Sequence, residues 1–389
     1  MQRLRPAAGH CLWLMTNELI EEQLRICIQK TRRSADALEE TFPRFPHVAH
    51  ARGWKTSGED EWKQLVDGYW TGGHWTGALW LCHFLTEDEF FKDSARRWLR
   101  ELSPRSGARL IHDVGFLFYP SAALPYALFR DKDLLITGKR AAYTMLRLFD
   151  KGPGCMPISD APEHADALAV DTMMNLPLLW WAGAAAGMPE AHPAALRHAR
   201  ATARCLVRPD GSTAHIARLD PRGGVVRIES WQGASPDSCW SRGHAWALAG
   251  AAHGLFFTDH EFYEELLRAL WRFHESNAPE DGVPYWDYSD TGGERDASAA
   301  AIIAHALLLL STNPLRREWA DPALRILQTL AENYSHGVEH PGFLKKVCFH
   351  KPAGIDVDCS SIFADYYYML ALCLCLPDFR KAIRKIKDA

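Results

Sequence analysis

Two kinds of apolar segment alternate along nearly the whole chain, and this alternation restricts the fold more than any other sequence feature. Twelve segments show helical periodicity, and every second one is apolar on all sides, as in ASAAAIIAHALLLL and NLPLLWWAGAAAG. The segments between them carry charge on one face, as in EFFKDSARRWLREL. A helix that is apolar all round is buried, whereas a helix with one apolar face forms an outer layer. The pattern therefore predicts an all-α fold, an (α/α)6 barrel in which six inner and six outer helices form a double toroid.

The predicted helices start with an outer one and then alternate. They span residues 17–40, 75–85, 87–102, 116–129, 134–149, 174–186, 191–206, 243–257, 261–275, 297–310, 314–334 and 362–376. Pro120, Pro125 and Pro177 predict kinks or late starts in the fourth and sixth helices. A β-hairpin is predicted over 212–229, where two strand-like stretches flank the turn PRGG.

Composition restricts the class of protein. No linker-like stretch divides the chain, so we predict a flexible leader at 1–15 and one barrel domain over 16–389. The net charge of −4 shows no basic excess, so we expect no nucleic-acid partner. No long uncharged apolar run and no secretory signal are found, so we expect no membrane association and a cytoplasmic protein, either a monomer or a weak homo-oligomer. Ten scattered cysteines predict reduced core thiols.

Polar and aromatic residues collect at the starts of the predicted inner helices. In such a ring the inner helices run in one direction, so their N-terminal ends meet at one mouth. Carboxylates, arginine and tryptophan together are typical of a sugar site, because indole rings stack on pyranose C–H faces and carboxyls transfer protons. The residues at these positions are Trp70, Trp75, Asp113, Asp171, Trp240, Arg242, Trp246, Arg295, Asp296, Asp365 and the tyrosines at 366–368.

Each of these aspartates also has a structural interpretation as a helix N-cap. For Asp296 and Asp365 the N-cap is our prediction. Asp113 and Asp171 differ because apolar residues flank them, in IHDVGFLF and LAVDTMMNLPLLWW. Burial and a second carboxylate raise the pKa of one member of such a pair, which then holds a proton near neutral pH. These residues alone leave open whether the pair is catalytic or structural.

Other residues and motifs favour structural roles or none. The mid-helix residues Trp180 and Trp181 are predicted to be core, and buried histidines such as His244, His253 and His305 are predicted to be hydrogen-bonded core residues. No metal-ligand spacing, P-loop or dinucleotide fingerprint is found, so we expect neither a metal nor a cofactor.

A series of motifs resembles the unsaturated glucuronyl hydrolases, glycoside hydrolase family 88. They are FPRFPHV, YWTGGHWTGALWL, HDVGFLF, DTMMNLPLLWWAG, STAHIARLDP, WQGASPDSCWSRGHAWAL, DGVPYWDY, RDASAAAI and DYYYMLAL, in family order over almost the whole chain. The resemblance implies an (α/α)6 barrel that acts on unsaturated uronyl oligosaccharides left by polysaccharide lyases. It also implies hydration of the C4=C5 vinyl ether: a proton goes to C4, water adds at C5, and the hemiketal opens and releases the next sugar.

The resemblance also implies roles for individual residues. By motif position, Asp171 matches the general acid/base, and Asp113 matches the partner that holds ring hydroxyls and tunes the pair. The positions that match substrate-binding residues are Trp70, His215, Gln232, Trp240, Arg242, Trp246 and His350. Arginine suits the uronate carboxylate because its fork can engage both oxygens.

The sequence departs from the family pattern near its end. The glycine of the last-helix motif is Ala364, and the segment 350–361, where some members bind a sulfate, lacks the expected spacing despite Lys351, Ser360 and Ser361. The preference for sulfated or unsulfated substrates therefore stays undetermined, and we predict that Lys345, Lys346 and Lys351 are solvated surface residues.

Three alternatives to this function remain at this level. The unsaturated rhamnogalacturonyl hydrolases share the barrel and the hydration chemistry but act on pectin fragments. A sugar 2-epimerase on the same barrel requires His244, His305 and His350 to converge. A non-enzymatic toroid predicts an exposed, replaceable Asp171, whereas catalysis predicts a buried one in an aromatic-lined pocket.

Overall fold

The fold is described by a computed structural model for residues 15–56, 67–108 and 110–387. The leader predicted at 1–15 therefore lies outside the described residues, apart from Met15, which is buried. The described chain is mostly helical and carries two small sheets.

Outer and inner helices alternate along the chain in the predicted order. They are α1 (Asn17–Leu38), α2 (Gly72–Thr86), α3 (Glu89–Leu102), α4 (Val114–Phe129), α5 (Lys132–Arg147), α6 (Pro177–Ala185), α7 (Ala191–Leu206), α8 (Ser241–Thr258), α9 (Glu261–Asn277), α10 (Ala297–Leu310), α11 (Ala320–Thr329) and α12 (Ile362–Cys373), followed by α13 (Pro377–Arg384). Each even-numbered helix up to α12 contacts the next even-numbered one, and α12 returns to α2, which closes the inner ring. The predicted (α/α)6 barrel is confirmed.

Side-chain composition explains which helices form the inner ring. Every residue of α10 is buried, from Ala297 to Leu310, so this helix has no face that could meet water. The outer helix α3 buries only Phe91, Ala95, Trp98, Leu99 and Leu102, which form one stripe at helical spacing. The predicted core positions Trp180 and Trp181 of α6 are fully buried. The nine cysteines among the described residues are free thiols, as predicted.

Prolines interrupt two inner helices where the sequence predicts it. Helix α4 consists of Val114–Phe118, a π-helical turn over Tyr119–Ala123 that contains Pro120, and Leu124–Phe129. Helix α6 begins at Pro177, after a 3-10 turn over Val170–Met174 that carries Asp171. Because proline lacks an amide hydrogen, it fits the start of a helix better than its interior. The late start of α6 leaves Asp171 on a tight turn at the mouth of the barrel.

Two three-stranded antiparallel sheets flank the barrel mouth. The predicted hairpin is present as β4 (Ile216–Leu219) and β5 (Val225–Glu229), and β3 (Ala167–Ala169), which pairs with β4, extends it. The sequence analysis did not predict the second sheet, which contains β1 (Pro46–His50), β2 (Gly53–Thr56) and β6 (Ser360–Ser361). Its strands are too short to show a clear alternating pattern.

The two predicted aspartate caps have different outcomes. Asp296 caps α10, because its side chain accepts a hydrogen bond from the Ser298 amide. The prediction for Asp365 was wrong: Ser361 caps α12, and Asp365 lies inside its first turn. The buried Asp365 carboxyl instead accepts hydrogen bonds from the amides of Phe343 and Leu344, at 2.8 and 3.0 Å. It thereby fixes the segment that leads to the wall of the barrel mouth.

The apolar helices were compared with the length and composition that a membrane span requires. Within residues 15–56, 67–108 and 110–387, no single helix is both long and apolar enough for a membrane span, although α12 and α13, bent by 101°, meet the length and composition limits as a pair.

Candidate active site

One cavity of about 370 Å³ opens at the mouth of the barrel, where the N-terminal ends of the inner helices meet. Its volume lies at the lower end of the range for small-molecule sites, about 300–1,000 Å³. All nine residues that the sequence analysis assigned to catalysis or binding line it: Trp70, Asp113, Asp171, His215, Gln232, Trp240, Arg242, Trp246 and His350. The structure therefore brings together residues from six separate stretches of the chain.

The two aspartates lie within electrostatic reach of each other in this cavity. Asp113 directly precedes α4, and its side chain is 18% exposed. Burial raises the pKa of Asp113, and the neighbouring Asp171 raises it further, while His112 and Arg105 oppose the shift. The pair thus has the electrostatic character predicted from its apolar flanks, with the raised pKa on Asp113.

Asp171 carries an unsatisfied carboxylate oxygen. Its Oδ1 is buried and has no hydrogen-bond partner among the described residues. A buried carboxylate oxygen without a partner costs free energy, and such a group calls for a functional explanation. This arrangement opposes the non-enzymatic alternative, which predicts an exposed Asp171.

His112 joins the two aspartate segments, although the sequence analysis did not select it. Its Nε2 lies 3.4 Å from Asp113 Oδ1, and its Nδ1 lies 2.6 Å from the hydroxyl of Thr172, which follows Asp171. The one available signal was its position beside Asp113 in the HDVGF motif. His112 positions both carboxyl-bearing turns relative to each other.

His215 is a neutral imidazole with a defined tautomer. Its Nδ1 accepts hydrogen bonds from the backbone amides of Trp231 and Gln232, at 3.2 and 3.3 Å, so the ring proton lies on Nε2. Burial lowers the pKa of His215 to about 4, although Asp171 opposes the shift and Arg242 adds to it. His215 therefore offers the cavity a neutral hydrogen-bond donor near neutral pH.

Arg242 lines the cavity, but most of its hydrogen bonds stay within the protein. The residue is 1% exposed and forms an ion pair with Asp296 at 2.7 Å. It also donates to the carbonyl oxygens of Cys348 and Phe349. These contacts occupy three of the five guanidinium donors, and the two-oxygen clamp of Arg242 on a substrate carboxylate stays a prediction.

The three predicted stacking tryptophans differ in how much ring surface they offer. Trp246 is 1% exposed and packs against Phe116 with ring centroids 4.9 Å apart, so it forms the floor of the cavity. Trp240 is also buried, between His215 at 4.7 Å and the Arg242 guanidinium at 4.8 Å. Trp70 keeps a partly exposed ring. The sequence analysis missed four further aromatic side chains in the lining, namely Tyr69, Phe116, Trp231 and Phe349.

The segment before α12 forms one wall of the cavity. Gln232 Nε2 donates to the Phe349 carbonyl at 3.2 Å, and His350 and Ile355 complete this wall. The buried Asp356 carboxylate anchors the segment, because His50 Nε2 and Lys55 Nζ both lie 2.8 Å from its Oδ1. His350 therefore reaches the site as predicted, although its local sequence matches the family pattern poorly.

The polar residues weighed for an anionic sugar do not line this cavity. Lys351 pairs with Glu294, and Lys346 pairs with Asp358 at 2.7 Å near the surface. Ser360 and Ser361 are buried in β6.

The histidines required for a 2-epimerase do not converge. His244 Nε2 lies 3.0 Å from the Leu270 carbonyl of the outer helix α9. His305 Nε2 lies 3.2 Å from His253 Nε2 in the barrel interior. Of the three required histidines, only His350 lines the cavity, so the geometry opposes this alternative. The described residues also contain no cluster of three or more His, Cys, Asp or Glu side chains that could hold a metal ion.

We expect Asp296→Ala to lower the free energy of unfolding by about 3–5 kcal/mol, because it leaves the buried Arg242 charge without its carboxylate. Denaturant unfolding followed by circular dichroism measures the loss. Asp358→Ala is the matched control: its pair with Lys346 is about half exposed, so its loss should stay below about 1 kcal/mol. Equal losses in the two variants would contradict a special contribution of the buried pair.

Known proteins share sequence with this chain over most of its length. The family profile described as Glycosyl Hydrolase Family 88 matches residues 36–372. An unsaturated glucuronyl hydrolase from Bacillus sp. (strain GL1) is 32% identical in an alignment of 377 positions, which covers 92% of this chain and 96% of that protein. An unsaturated chondroitin disaccharide hydrolase from Streptococcus agalactiae is 29% identical in an alignment of 381 positions, which covers 92% of each chain.

Solved structures extend the similarity to the fold. The crystal structure of an unsaturated glucuronyl hydrolase from Bacillus sp. GL1, described as responsible for glycosaminoglycan degradation, superposes with a TM-score of 0.83 at 30% identity. It covers 93% of this chain and 98% of its own. The structure of an unsaturated glucuronyl hydrolase specific for heparin also gives a TM-score of 0.83, at 27% identity, and covers 96% of this chain and 99% of its own.

Proposed function

Because the chain belongs to glycosyl hydrolase family 88 and is therefore a glycoside hydrolase, we propose that it removes the 4,5-unsaturated uronate from the non-reducing end of lyase-generated glycosaminoglycan oligosaccharides. The named relatives include unsaturated chondroitin disaccharide hydrolases and a glucuronyl hydrolase specific for heparin, and both of these substrates are glycosaminoglycan fragments. The reaction we propose is hydration of the C4=C5 vinyl ether, with Asp171 as general acid/base.

The observation that carries the proposal is the unpartnered Oδ1 of Asp171 in an aromatic-lined cavity beside a second carboxyl group. A carboxyl that serves only as a helix cap accepts hydrogen bonds from the first turn, as Asp296 does from Ser298. Asp171 Oδ1 accepts none in the described structure, so the protein leaves the hydrogen-bonding capacity of this buried oxygen unused.

The proposed reaction needs one group that first gives and then takes a proton. Protonated Asp171 gives its proton to C4, and the positive charge that develops at C5 is shared with the ring oxygen. Water then adds to C5 while the Asp171 carboxylate removes a proton from it, which restores the starting carboxyl group. The product is a hemiketal at C5, and its opening breaks the ring and releases the sugar attached at C1.

The neighbouring groups support this cycle. The raised pKa of Asp113 favours its protonated form, in which the carboxyl can donate a hydrogen bond to a ring hydroxyl. The His215 imidazole stays neutral and donates through Nε2, so it adds no second positive charge near the developing cation. Trp246 and Phe116 close the cavity floor and keep bulk water away from that side.

The test of this function follows the ultraviolet absorbance of the conjugated uronate in unsaturated disaccharides from chondroitin, hyaluronan and heparin. We expect the absorbance to fall at the same rate as the second sugar appears, because hydration removes the double bond before the sugar leaves. The matched control is the saturated glucuronyl disaccharide, which lacks C4=C5 and should not be cleaved.

The other outcomes are distinct. Cleavage of the saturated disaccharide, or sugar release that runs ahead of the absorbance loss, would indicate displacement at C1 and contradict hydration. No reaction with any uronyl glycosaminoglycan fragment, together with turnover of unsaturated rhamnogalacturonyl fragments, would replace the substrate class but keep the chemistry.

A further inference from the structure

Trp231 is more exposed to solvent than the other aromatic side chains that line the cavity. It is 40% exposed, whereas Trp240, Trp246 and Phe349 in the same cavity are buried. We propose that the Trp231 ring is the stacking platform for the leaving sugar, the residue attached to C1 of the unsaturated uronate. This inference rests on the proposed function and adds to it a residue that selects for the second ring of the substrate.

The position of Trp231 is fixed through its backbone and one side of its ring. Its amide donates to His215 Nδ1 at 3.2 Å, which ties the residue to the wall that also carries Asp171. The centroid of its ring lies 5.7 Å from that of His164 and 6.3 Å from that of His215. These contacts hold the indole at the rim and leave a large part of its surface open.

Substrate geometry places the leaving sugar at this rim. In the uronate ring C1 lies opposite C4, so a ring that presents C4 to the carboxyl pair points C1 away from that pair and toward the mouth. The sugar on C1 then meets the part of the lining that borders solvent, where Trp231 lies. An exposed indole face binds the C–H face of a pyranose through dispersion and desolvation.

The charges near Trp231 favour stacking over ionic recognition of this sugar. Glu229, which ends β5 two residues earlier, lies 2.6 Å from Arg227 Nε and 3.1 Å from Arg218 Nε. Arg218 also pairs with Asp166 at 2.7 Å. Because these side chains pair with one another, the platform selects a pyranose by its apolar face and not by a charged substituent.

The experiment compares two substrates in the wild type and in Trp231→Ala. One is an unsaturated glucuronyl disaccharide, and the other is the methyl glycoside of the same unsaturated uronate, which has no second ring to stack. We expect Trp231→Ala to lower kcat/KM for the disaccharide roughly 3- to 10-fold more than for the methyl glycoside, with most of the change in KM. Trp231→Phe should retain part of the discrimination because it keeps an aromatic face.

Two features of the design separate stacking from a structural effect. The bond to His215 comes from the main chain, so alanine at position 231 retains it. Val226→Ala is the matched control, because Val226 is 66% exposed on the same hairpin and does not line the cavity, and it should leave the ratio of the two kcat/KM values unchanged.

Equal losses on both substrates in Trp231→Ala would overturn the inference. A wild-type protein that turns over neither substrate would instead contradict the proposed function, so the two failures are distinguishable.

Discussion

Asp171→Asn is expected to abolish turnover of unsaturated disaccharides while the protein stays folded. Asparagine has nearly the same shape as aspartate but can neither give a proton to C4 nor remove one from water. General acid–base catalysis contributes roughly 10²–10⁴-fold to a rate, and here one group acts in both steps, so we expect kcat/KM to fall by about 10³-fold or more. The ultraviolet assay measures the loss.

Folding of this variant is checked separately from activity. Because Asp171 Oδ1 makes no hydrogen bond within the described structure, its replacement removes no bond at that atom. The thermal midpoint should therefore stay within a few degrees of the wild type, and Asp358→Asn, at an exposed surface pair, is the matched control for both measurements. Retained activity in a preparation free of wild-type enzyme would remove Asp171 from the acid/base role.

Asp113→Asn provides an informative comparison. Asp113 transfers no proton in the proposed cycle, but its carboxyl interacts electrostatically with that of Asp171. Its loss should shift the pH profile of kcat, whereas loss of Asp171 leaves no profile to measure. A complete loss in Asp113→Asn with residual activity in Asp171→Asn would exchange the two roles.

The second large effect is an expected loss of the folded state in mild acid. Burial lowers the pKa of His47, His74, His198, His274 and His305 to about 3. A histidine in the unfolded chain has a pKa of about 6.5. Between these values the unfolded state binds protons that the folded state excludes, so the free energy of unfolding falls as the pH drops from about 6.5 toward 3.

The expected size of this effect exceeds the usual margin of stability. Each such histidine costs about 1.4 kcal/mol for every pH unit within that window, against a total stability of about 5–15 kcal/mol. Asp365 acts in the opposite direction, because burial raises its pKa to about 7 and acid then favours its protonated folded form. Asp113, whose pKa burial also raises, acts in the same direction as Asp365, but two carboxyls cannot offset five histidines, so we expect cooperative unfolding below about pH 5.

Denaturant unfolding at a series of pH values from 4 to 8, in steps of about half a unit, measures this dependence. His198→Gln should reduce the slope of unfolding free energy against pH below about 6, even if it lowers the absolute stability, because it removes one excluded proton. His83→Gln, at a partly exposed helix end, is the control. A flat curve between pH 7 and 4 would contradict the linkage.

The ring of helices follows from the apolar pattern of the sequence alone. An apolar segment such as 297–310 has no polar face, so it is stable only when an outer layer of helices covers it. Six such segments that alternate with six one-faced helices fit few architectures other than a double ring. Burial of the Asp113 and Asp171 carboxyls could also be predicted from the sequence, because apolar residues lie on both sides of each aspartate. The family motifs then selected all nine lining residues that we assigned.

The contacts of those residues depend on the tertiary fold and could not be predicted from the sequence. The Arg242 guanidinium has the donors of a carboxylate clamp, and in the folded protein it pairs with Asp296, a residue 54 positions away. Asp365 has the position of a cap, yet its carboxyl meets amides more than 20 residues earlier in the chain. Trp231 and Trp246 are both tryptophans of the same sequence motif. Trp231 lies at the rim of the cavity, whereas Trp246 lies on its floor. Periodicity reports which side of a helix is buried, whereas hydrogen-bond partners and ring exposure depend on segments that meet only when the barrel closes.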